Sequence, residues 1–327
     1  MTKDIRWGIL GLGSIAGVFA AGLQAVPNAQ LVACGSRTAE KAEAFGEKWK
    51  IPHRHADYAA LAADPEVDAI YVATPHPMHR EDVLLCLEHG KAVLCEKPFT
   101  VNAREAAEVI AAARRAGLLV MEAMWTRFLP HMAQVRAWLN AGAIGDVRML
   151  HADLGFRANF DPRGRLLNPT LAGGGLLDVG VYTVSLAHGI LGVPTAVTGL
   201  AHFGETGVDE QAGMVLGYPE GRLAVLSCGV RTNIPHVARI LGTEGNILIR
   251  EPWWRPTSVT LAVNGKEEQT VTPEIVGNGY NYEAVEFGNC LRAGLLESPL
   301  FPLDETLAIM HTLDSLRAQW GLKYPME

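Results

Sequence analysis

Residues 4–16 read DIRWGILGLGSIA, and this stretch decides the fold of the first half of the chain. Asp4–Leu10 is a short, mostly apolar run typical of a buried strand, and the pattern Gly11-x-Gly13-x-x-Ala16 follows at once. The next stretch, Ile15–Val26, is predicted to be a helix, and Gln30–Cys34 is a second apolar strand. A glycine motif between a strand and a helix, within a unit of about 30 residues, is typical of a dinucleotide-binding turn.

Each position of this turn has its own requirement. Gly11 permits the tight turn, Gly13 lets the backbone approach a pyrophosphate, and Ala16 takes the third glycine position, where helix and strand pack closely. The backbone N–H groups of Ser14 and Ile15, at the start of the helix, would face the phosphates. The alternative is a glycine-rich turn in another kind of α/β protein.

The end of the second strand indicates which dinucleotide is preferred. Sites that prefer NAD usually carry an Asp or Glu there, which binds the ribose 2′-OH. This strand ends with Ala33-Cys34-Gly35-Ser36-Arg37-Thr38, which contains no carboxylate. A hydroxyl and a guanidinium bind a 2′-phosphate, so Ser36 and Arg37 predict NADP as the cofactor. The alternative is that Arg37 is only a solvated residue at the start of a helix.

Strands and helices continue to alternate as far as about Trp125. Further strands are predicted over Val67–Ala73, Ala92–Cys95 and Leu118–Met121, and helices over Glu40–Trp49, Asp57–Ala62, Glu81–His89 and Asn102–Ala116. This alternation predicts a parallel, doubly wound sheet, in which ligands bind at the carboxyl ends of the strands. The segments that follow the strands should therefore share one edge of the sheet.

A pair of histidines follows one of these strands, in His76-Pro-Met-His79. Two histidines at this spacing suggest a metal site, but no third ligand of suitable spacing stands near them in the sequence. The sequence therefore predicts no metal site, and His79 is expected to start or support the next helix.

The second half of the chain has a different pattern. Strands are predicted over Val147–Phe156, Ala196–Phe203, Asp209–Tyr218, Leu223–Arg231, His236–Leu241 and Asn246–Arg250, with another after Asn264-Gly265. Short turns such as Pro219-Glu220-Gly221 join them, which indicates a mainly antiparallel sheet. Helices are predicted over Gly175–Leu191 and Leu303–Trp320. The fold class is thus α/β, with a Rossmann sheet followed by an α+β domain with a large open sheet.

The helix over Gly175–Leu191 carries the candidate acid–base residues. Asp178 and Tyr182 are four residues apart, so they share a face of a helix. A tyrosine needs a nearby cation to act as a base, because its ordinary pKa is near 10. Lys97, beside the predicted cofactor site, is the candidate cation. The alternative is a core tyrosine whose hydroxyl is bonded to Asp178.

Composition excludes several classes of protein. The chain has 327 residues, enough for two domains, and 49% of them are apolar. A net charge of −7 without a basic run disfavours nucleic-acid binding. Five cysteines without a C-x-x-C pair argue against a zinc ribbon or a disulfide framework and favour the cytoplasm. The uncharged run Trp7–Asn28 contains five glycines, which makes it a poor membrane-spanning helix.

Four motifs resemble the glucose–fructose oxidoreductase / inositol dehydrogenase family of NAD(P)-dependent enzymes. These motifs are Gly11-x-Gly13-x-x-Ala16, the Ala73–His76 loop, Glu96-Lys97-Pro98 and Asp178-x-Gly180-x-Tyr182, and the resemblance covers essentially the whole chain. Glu-Lys-Pro at this position is specific to the family, whereas the glycine motif is not. The stretches 121–128 and 173–182 are similar to the dimeric dihydrodiol dehydrogenase branch. Members of that branch oxidise trans-dihydrodiols, D-xylose and related aldoses with NADP.

The resemblance implies roles for particular residues. Lys97 would lie beside the nicotinamide and a substrate hydroxyl, and Tyr182 would transfer the proton, although many relatives carry His at that position. The residues implied to line the cofactor are Thr74, His76, Glu96 and Tyr282, and we add His79 to this set. Three aromatic residues are candidates for an apolar wall against a substrate ring, although core packing explains them equally well: Trp125, Phe156 and Trp254.

The resemblance also implies an organisation. Residues 1–123 would form the NADP-binding domain, and residues 124–327 the domain that binds substrate and forms a homodimer. We expect a hydride transfer between nicotinamide C4 and a hydroxyl-bearing carbon of an aldose or a trans-dihydrodiol. An NADPH-dependent reductase of a keto- or anhydro-sugar, an enzyme that retains its cofactor, and a non-catalytic NADP-binding sensor are the alternatives.

Overall fold

The computed structural model describes residues 4–327. Fourteen strands are formed among these residues: β1 (Ile5–Leu10), β2 (Ala29–Gly35), β3 (His53–His55), β4 (Ala69–Val72), β5 (Ala92–Glu96), β6 (Val120–Ala123), β7 (Val147–Gly155), β8 (Ala196–Phe203), β9 (Asp209–Gly217), β10 (Leu223–Gly229), β11 (Ala238–Gly242), β12 (Gly245–Ile249), β13 (Val259–Val263) and β14 (Gln269–Val271). The α-helices of the same residues are α1 (Ser14–Leu23), α2 (Ala39–Trp49), α3 (Tyr58–Ala62), α4 (His79–Glu88), α5 (Ala103–Ala116), α6 (Pro130–Asn140), α7 (Val181–Leu191), α8 (Asn281–Arg292) and α9 (Leu303–Trp320).

The chain divides into two compact units. The first comprises the residues up to Phe128 together with Ile275–Leu307, and the second comprises Leu129–Glu274 and Ala308–Glu327. The first unit thus includes Ile275–Leu307, which carries α8. The sequence prediction assigned this segment to the second domain, 124–327. The assignment of NADP binding to 1–123 and of substrate binding to 124–327 stays a prediction.

The first unit is built on a six-stranded parallel sheet in the order β3-β2-β1-β4-β5-β6. Its central strands are almost wholly buried, as expected for a sheet that is covered on both faces. Trp7 of β1 packs against Phe19 of α1 and Phe287 of α8, with ring centroids 5.5 and 4.9 Å apart. The predicted doubly wound parallel sheet is confirmed.

The second unit is built on an eight-stranded sheet in the order β14-β13-β12-β11-β7-β10-β9-β8. Every neighbouring pair is antiparallel except β7 and β10, which are parallel. Along β8 and β9 exposed residues alternate with more buried ones, so one face of this part of the sheet is covered and the other is open. The predicted large open, mainly antiparallel sheet is confirmed.

Two local predictions need correction. The strand predicted to begin at His236 begins at Ala238, because His236 has a φ of +66°, which no strand residue adopts. The predicted helix over Gly175–Leu191 consists of a π turn, Leu176–Gly180, followed by α7. The elements β3, β13, α6 and α8 were not predicted from the sequence.

One helical stretch among the described residues, Pro169–Leu191, is long and apolar enough to cross a membrane. Within it, 89% of the most apolar window is buried inside the protein, and a buried core helix passes the same length and hydropathy test.

Candidate active site

The turn after β1 has the geometry that the glycine pattern predicted. Gly11 has a φ of +89°, and a Cβ there would lie 2.7 Å from Cγ2 of Thr74, so only glycine fits without strain. A Cβ at Gly13 would meet no protein atom within 4 Å. The space beside Gly13 is therefore open, and it fits the approach of a pyrophosphate.

The first turn of α1 also fits an anionic group. Gly13 is the N-cap and provides no side-chain cap, and the first helical turn contains no acidic residue. The exposed Ser14 and half-buried Ile15 begin the helix, and the fully buried Ala16 packs inward. Backbone N–H groups at an uncapped helix N-terminus attract phosphate, since they are donors without intrahelical partners.

The strand next to this turn ends in Ser36 and Arg37. Ser36 is buried, and its N–H donates to the carbonyl of His55 in β3 at 3.1 Å, which fixes the backbone after β2. Arg37 is exposed. Burial raises the pKa values of Tyr58 and Asp82, and the positive charge of Arg37 opposes this rise in both cases. Arg37 therefore lies near both groups.

The loop after β4 is held by side chains of α4. The Thr74 hydroxyl donates to Asp82 at 2.6 Å, and burial raises the pKa of Asp82 to about 6. His79 is fully buried, and its two ring nitrogens lie 2.9 and 2.8 Å from the carbonyls of Pro98 and Thr74. His79 thus joins two loops at this edge of the sheet, which is a supporting position. His76 is half-buried, with its ring centroid 5.9 Å from that of His79.

Lys97 follows the end of β5, as predicted, and its backbone is fixed by Glu96. The Lys97 N–H donates to Oε2 of Glu96 at 3.1 Å, while the hydroxyl of Tyr71 donates to Oε1. Burial, together with the carboxyls of Glu96 and Glu283, raises the pKa of Tyr71 well above its ordinary value, so Tyr71 remains a donor. Glu96 is buried and Lys97 is half-buried, so water reaches the lysine but hardly reaches the carboxyl.

Glu283 of α8 is a second buried carboxyl beside Glu96, and the sequence analysis missed it. It is fully buried, and neither of its carboxyl oxygens has a hydrogen-bond partner among the described residues. Burial and the charge of Glu96 raise its pKa well above the ordinary value. Two neighbouring charges without solvent would be very costly, so this environment favours the protonated form of Glu283.

Glu122 of β6 supports the segment after Lys97, and it was also missed. Its two oxygens accept from the N–H of Phe99 at 3.1 Å and from the hydroxyl of Thr306 at 3.0 Å. Burial raises the pKa of Glu122 to about 7, against the effect of these bonds. Its signal in the sequence is a lone carboxylate within the apolar run of β6, which implies a buried partner.

Two predicted aromatic residues of the first unit lie near the start of α8. Trp125 is buried and stacks on Tyr280, with ring centroids 4.5 Å apart and planes 16° apart. The hydroxyl of Tyr282 accepts from the N–H of Val276 at 3.0 Å. Trp125 therefore has a packing role, and the Tyr282 hydroxyl braces the preceding loop.

In the second unit, Asp178 and Tyr182 lie on consecutive helical turns. Asp178 belongs to the π turn, and Tyr182 is the second residue of α7. Both are buried, and Asp178 is paired with Arg165, whose side chain is exposed. The π turn is a feature that four-residue spacing alone does not reveal, and such turns are frequent at functional sites.

Asp209 holds the start of this π turn. Its Oδ2 accepts from the N–H of Leu176 at 2.6 Å. A Cβ at Gly174, which has a φ of +123°, would lie only 2.1 Å from Asp209 Oδ1, so glycine is required there. Burial raises the pKa of Asp209 to about 7. The sequence pattern places Asp209 at the start of a strand and does not predict this role.

Phe156 and Trp254 both lie close to His236 in the second unit. The ring of His236 is 4.6 Å from that of Trp254 and nearly perpendicular to it. His236 Nε2 bonds the carbonyl of Gly155, the residue before Phe156. Both aromatic side chains are half-buried, so they retain surface for a ligand. Of the three aromatic residues predicted to form a wall, Trp125 belongs to the first unit and these two to the second.

Models of two protein-domain families match the chain. Residues 5–124 match an oxidoreductase family with an NAD-binding Rossmann fold, and residues 132–248 match the GFO/IDH/MocA C-terminal domain. The chain belongs to the GFO/IDH/MocA oxidoreductase family. The resemblance inferred from the motifs is confirmed, and the enzyme class, a dehydrogenase with a nicotinamide cofactor, follows from it.

Individual proteins are similar to nearly the whole chain. The trans-1,2-dihydrobenzene-1,2-diol dehydrogenase of Mus musculus is 41% identical, over 99% of both chains. A crystal structure of the aldose–aldose oxidoreductase of Caulobacter crescentus, complexed with glycerol, has a TM-score of 0.88 at 26% identity and covers 96% of both chains. The 3-ketoreductase KijD10 of Actinomadura kijaniata, complexed with NADP and TDP-benzene, has a TM-score of 0.86 at 26% identity and covers 97% of this chain and 98% of its own.

Proposed function

We propose that this GFO/IDH/MocA oxidoreductase is an NADP-dependent dehydrogenase that oxidises a hydroxyl-bearing carbon of a trans-dihydrodiol or of an aldose such as D-xylose. One observation carries the substrate class: the 41% identity, over 99% of both chains, to a trans-1,2-dihydrobenzene-1,2-diol dehydrogenase. The aldose alternative is supported by the similarity to an aldose–aldose oxidoreductase. Both substrates present adjacent hydroxyls on a six-membered ring, so one pocket serves either.

The preference for NADP rests on the residues after β2. Gly11, Gly13 and the first N–H groups of α1 would hold the pyrophosphate, and Ser36 and Arg37 the 2′-phosphate. An exposed guanidinium supports phosphate binding through paired hydrogen bonds, and no carboxylate lies between Gly35 and Thr38 to repel it. The complex of KijD10 with NADP supports the same choice.

The nicotinamide side of the cofactor would be lined by Thr74, His76 and Glu96, as the family resemblance implies. His79 and Tyr282 would act from behind this lining, because His79 is fully buried between two carbonyls and the Tyr282 hydroxyl bonds Val276. The bound nicotinamide supplies the hydride acceptor of the reaction.

Three side chains of the protein are proposed to manage the proton and the charge. Tyr182 takes the proton of the substrate hydroxyl during oxidation, and Lys97 donates to the same oxygen and stabilises its developing negative charge. Asp178, fixed by Arg165, orients the substrate or the tyrosine. The ammonium of Lys97 favours the ionised form of the tyrosine. In the reverse direction, Tyr182 returns the proton to the substrate oxygen.

Phe156 and Trp254 are proposed to contact the apolar face of the substrate ring. Both are half-buried, and His236 fixes their positions through the carbonyl of Gly155 and through edge-to-face contact with Trp254. An aromatic wall suits both proposed substrates, since a dihydrodiol ring and a sugar ring each present C–H groups to it. Trp125 is proposed to act indirectly, by packing against Tyr280.

The test is a comparison of initial rates, measured by absorbance at 340 nm. Purified protein is given NADP⁺ or NAD⁺ with trans-1,2-dihydrobenzene-1,2-diol, D-xylose, D-glucose and other aldoses. We expect turnover with NADP⁺ on the dihydrodiol or on D-xylose and a much lower kcat/KM with NAD⁺. Tight NADP⁺ binding by calorimetry without turnover of any of these substrates would refute the proposed substrates and retain the cofactor.

A second candidate is favoured by one specific observation, the similarity to a 3-ketoreductase. In that case the enzyme uses NADPH to reduce a keto-sugar or an anhydro-sugar. The ratio of forward to reverse kcat/KM at matched cofactor concentrations distinguishes the two directions. Cofactor that remains bound through gel filtration would point instead to an enzyme that regenerates it internally.

We also propose that the open face of the eight-stranded sheet joins two copies of the chain. Leu200, Val215 and Val225 are 84%, 38% and 41% exposed on the three strands β8, β9 and β10. Val215 pairs with Val225 across the ladder, so their side chains form one apolar surface. Sedimentation of Leu200→Asp should give a monomer where the native chain gives a dimer, and a monomeric native chain would refute the proposal.

The proposed compartment is the cytoplasm. All five cysteines are buried and free. Disulfides form and persist in oxidising compartments, so free cysteines favour a reducing one. Fractionation of cells that express the chain at its natural level tests this, and recovery in a secreted fraction would contradict it.

A further inference from the structure

A cluster of two histidines and an aspartate lies at the edge of the parallel sheet, apart from the residues of the proposed reaction. Nδ1 of His53 and Nε2 of His55 lie 2.7 and 2.9 Å from the same oxygen, Oδ2 of Asp64. The three ligand atoms all lie within 4.8 Å of one another. His53 and His55 alternate with Arg54 on the strand β3, so they point to the same side of it, while Arg54 bonds Glu43.

We propose that His53, His55 and Asp64 bind a divalent transition-metal ion of the zinc class. Two imidazoles and one carboxylate are a ligand set that Zn²⁺ accepts, with one further position left for water. Tetrahedral ligands at the usual distance of ~2.1 Å from the ion lie about 3.4 Å apart. The two His–Asp separations, 2.7 and 2.9 Å, therefore need to open by about 0.5–0.7 Å, which small rotations of the imidazoles provide.

The surroundings hold the carboxylate in place before any ion arrives. Oδ1 of Asp64 accepts from the N–H of Glu66 at 2.8 Å, and the Asp64 carbonyl accepts from the buried Lys91 ammonium at 2.6 Å. Asp64 is nearly inaccessible, whereas the side chains of His53 and His55 are 37% and 22% exposed. Such outer bonds fix a ligand's orientation, and the exposed side of the histidines leaves a path for the ion and its water.

The ion would stabilise the short edge strand β3. β3 has only three residues and lies at the edge, so a single ladder holds it to β2. An ion would tie β3 to the segment after α3, which carries Asp64. The strand matters for the neighbouring loop, since the carbonyl of His55 holds the N–H of Ser36. The proposed role of the ion is structural, and no step of the proposed reaction uses it.

The sequence predicts no metal site, and the spacing of these three residues explains why. His53-x-His55 is an ordinary pair on a strand, and the third ligand follows nine residues later, beyond α3. Only the folded chain brings Asp64 back to the strand. The histidine pair that the sequence does display, His76 and His79, is instead occupied by backbone bonds at His79.

The proposal is tested with Zn²⁺ and Co²⁺ on the metal-free native chain. Equilibrium dialysis should show one equivalent of Zn²⁺ held at micromolar free metal. His53→Asn and His55→Asn should each weaken binding by at least about tenfold, the lower end of what the loss of even outer ligand contacts costs. His89→Asn, at an exposed histidine of the same unit, is the matched control and should leave binding unchanged.

A second measurement does not depend on the variants. Co²⁺ bound by two imidazoles and a carboxylate in tetrahedral geometry gives an intense visible absorption, and an equivalent of Zn²⁺ should abolish it. Zn²⁺ should also raise the melting temperature of the native chain and of His89→Asn but not of His53→Asn. Equal Zn²⁺ binding by the native chain and both histidine variants, or a native chain that binds none, overturns the proposal and leaves two His–Asp hydrogen bonds.

Discussion

The two units hold their candidate residues by different means. In the first, the proposed cofactor-binding positions are backbone turns at the ends of parallel strands, where Gly11 and Gly13 carry no side chain. In the second, Asp178 and Tyr182 depend on side chains from elsewhere, because Asp209 holds the π turn and Arg165 pairs with Asp178. A backbone site is specified within a few consecutive residues, whereas a site supported by side chains is specified by the whole fold.

This difference separates binding from catalysis in the proposed enzyme. Changes to the turn after β1 should alter cofactor affinity, and changes to the helix that carries Tyr182 should alter turnover. If the two kinds of change had the same effect on both measurements, the division would be wrong.

Tyr182→Phe removes only the hydroxyl of the proposed base. We expect kcat to fall by about 10²–10⁴, the usual contribution of a positioned acid or base, while the Kd for NADP⁺ stays within a few-fold. Steady-state rates and calorimetry measure the two quantities. Thr183→Val, at the next buried residue of the same helix, is the control for a packing effect. Unchanged turnover in Tyr182→Phe would remove this residue from the mechanism.

Glu283→Gln tests whether the buried carboxyl beside Glu96 is protonated. Burial and the charge of Glu96 raise the pKa of Glu283 in the folded protein, so the folded state binds this proton more tightly than the unfolded state. The stability it contributes is complete below pH ~4 and is lost as the pH rises through the folded pKa. Within that window the native chain should lose about 1.4 kcal/mol per pH unit relative to the glutamine variant.

The measurement is chemical denaturation of the native chain and of Glu283→Gln from pH 5 to pH 8. The curves should converge at the acid end and separate as the pH rises, with the variant more stable at pH 8. Glu286→Gln, on the same helix but half-buried and bonded to Ser298, is the matched control for the loss of a carboxyl. Parallel curves for the native chain and Glu283→Gln would show that Glu283 is already ionised in the folded protein over this pH range. The raised pKa of Glu283 would then be wrong.

Arg37→Ala tests the proposed contact with the 2′-phosphate. Hydrogen bonds to a charged group contribute about 1.5–3 kcal/mol, so the Kd for NADP⁺ should rise about 10–100-fold. The Kd for NAD⁺, which lacks the phosphate, should remain the same and serves as an internal control. Equal losses for both cofactors would mean that Arg37 stabilises the loop and does not read the phosphate.

The same difference between the units explains what the sequence could predict. The strand–turn–helix unit at residues 4–35, the two types of sheet and most element bounds follow from local pattern, and the structure confirms them. The π turn did not follow from local pattern: Asp209, which accepts from the N–H of its first residue, lies 31 residues after Asp178 in the chain. Likewise, nothing local to α8 shows that it packs on the first sheet through Phe287.

Buried carboxyls were the second kind of feature that local pattern did not reveal. Glu122 lies in the apolar run of β6, which signals a buried group but not its partner, whereas Glu283 follows Asn281 and Tyr282 in the sequence and gives no such signal. The groups that act on them are distant in sequence: Thr306 donates to Glu122, and the charge of Glu96 adds to the effect of burial on the pKa of Glu283. The candidate lysine could therefore be predicted from Glu-Lys-Pro, while the residues that hold its loop could not.

A matched pair of glycine variants gives the smallest expected effects and tests the backbone site directly. Gly11→Ala places a side chain where φ is +89° and where Thr74 lies 2.7 Å away, so it should destabilise the fold by at least about 1–2 kcal/mol. Gly13→Ala meets no protein atom within 4 Å, so the stability of the cofactor-free chain should not change. The added methyl group instead occupies the space proposed for the pyrophosphate, and the affinity for NADP⁺ should fall about tenfold, or ~1.4 kcal/mol. Thermal unfolding without cofactor and calorimetry with it separate the two results. If Gly13→Ala bound NADP⁺ normally, the open space beside α1 would not be the phosphate site. The turn after β1 would then not be a backbone site for the cofactor, and the contrast with the second unit would be wrong.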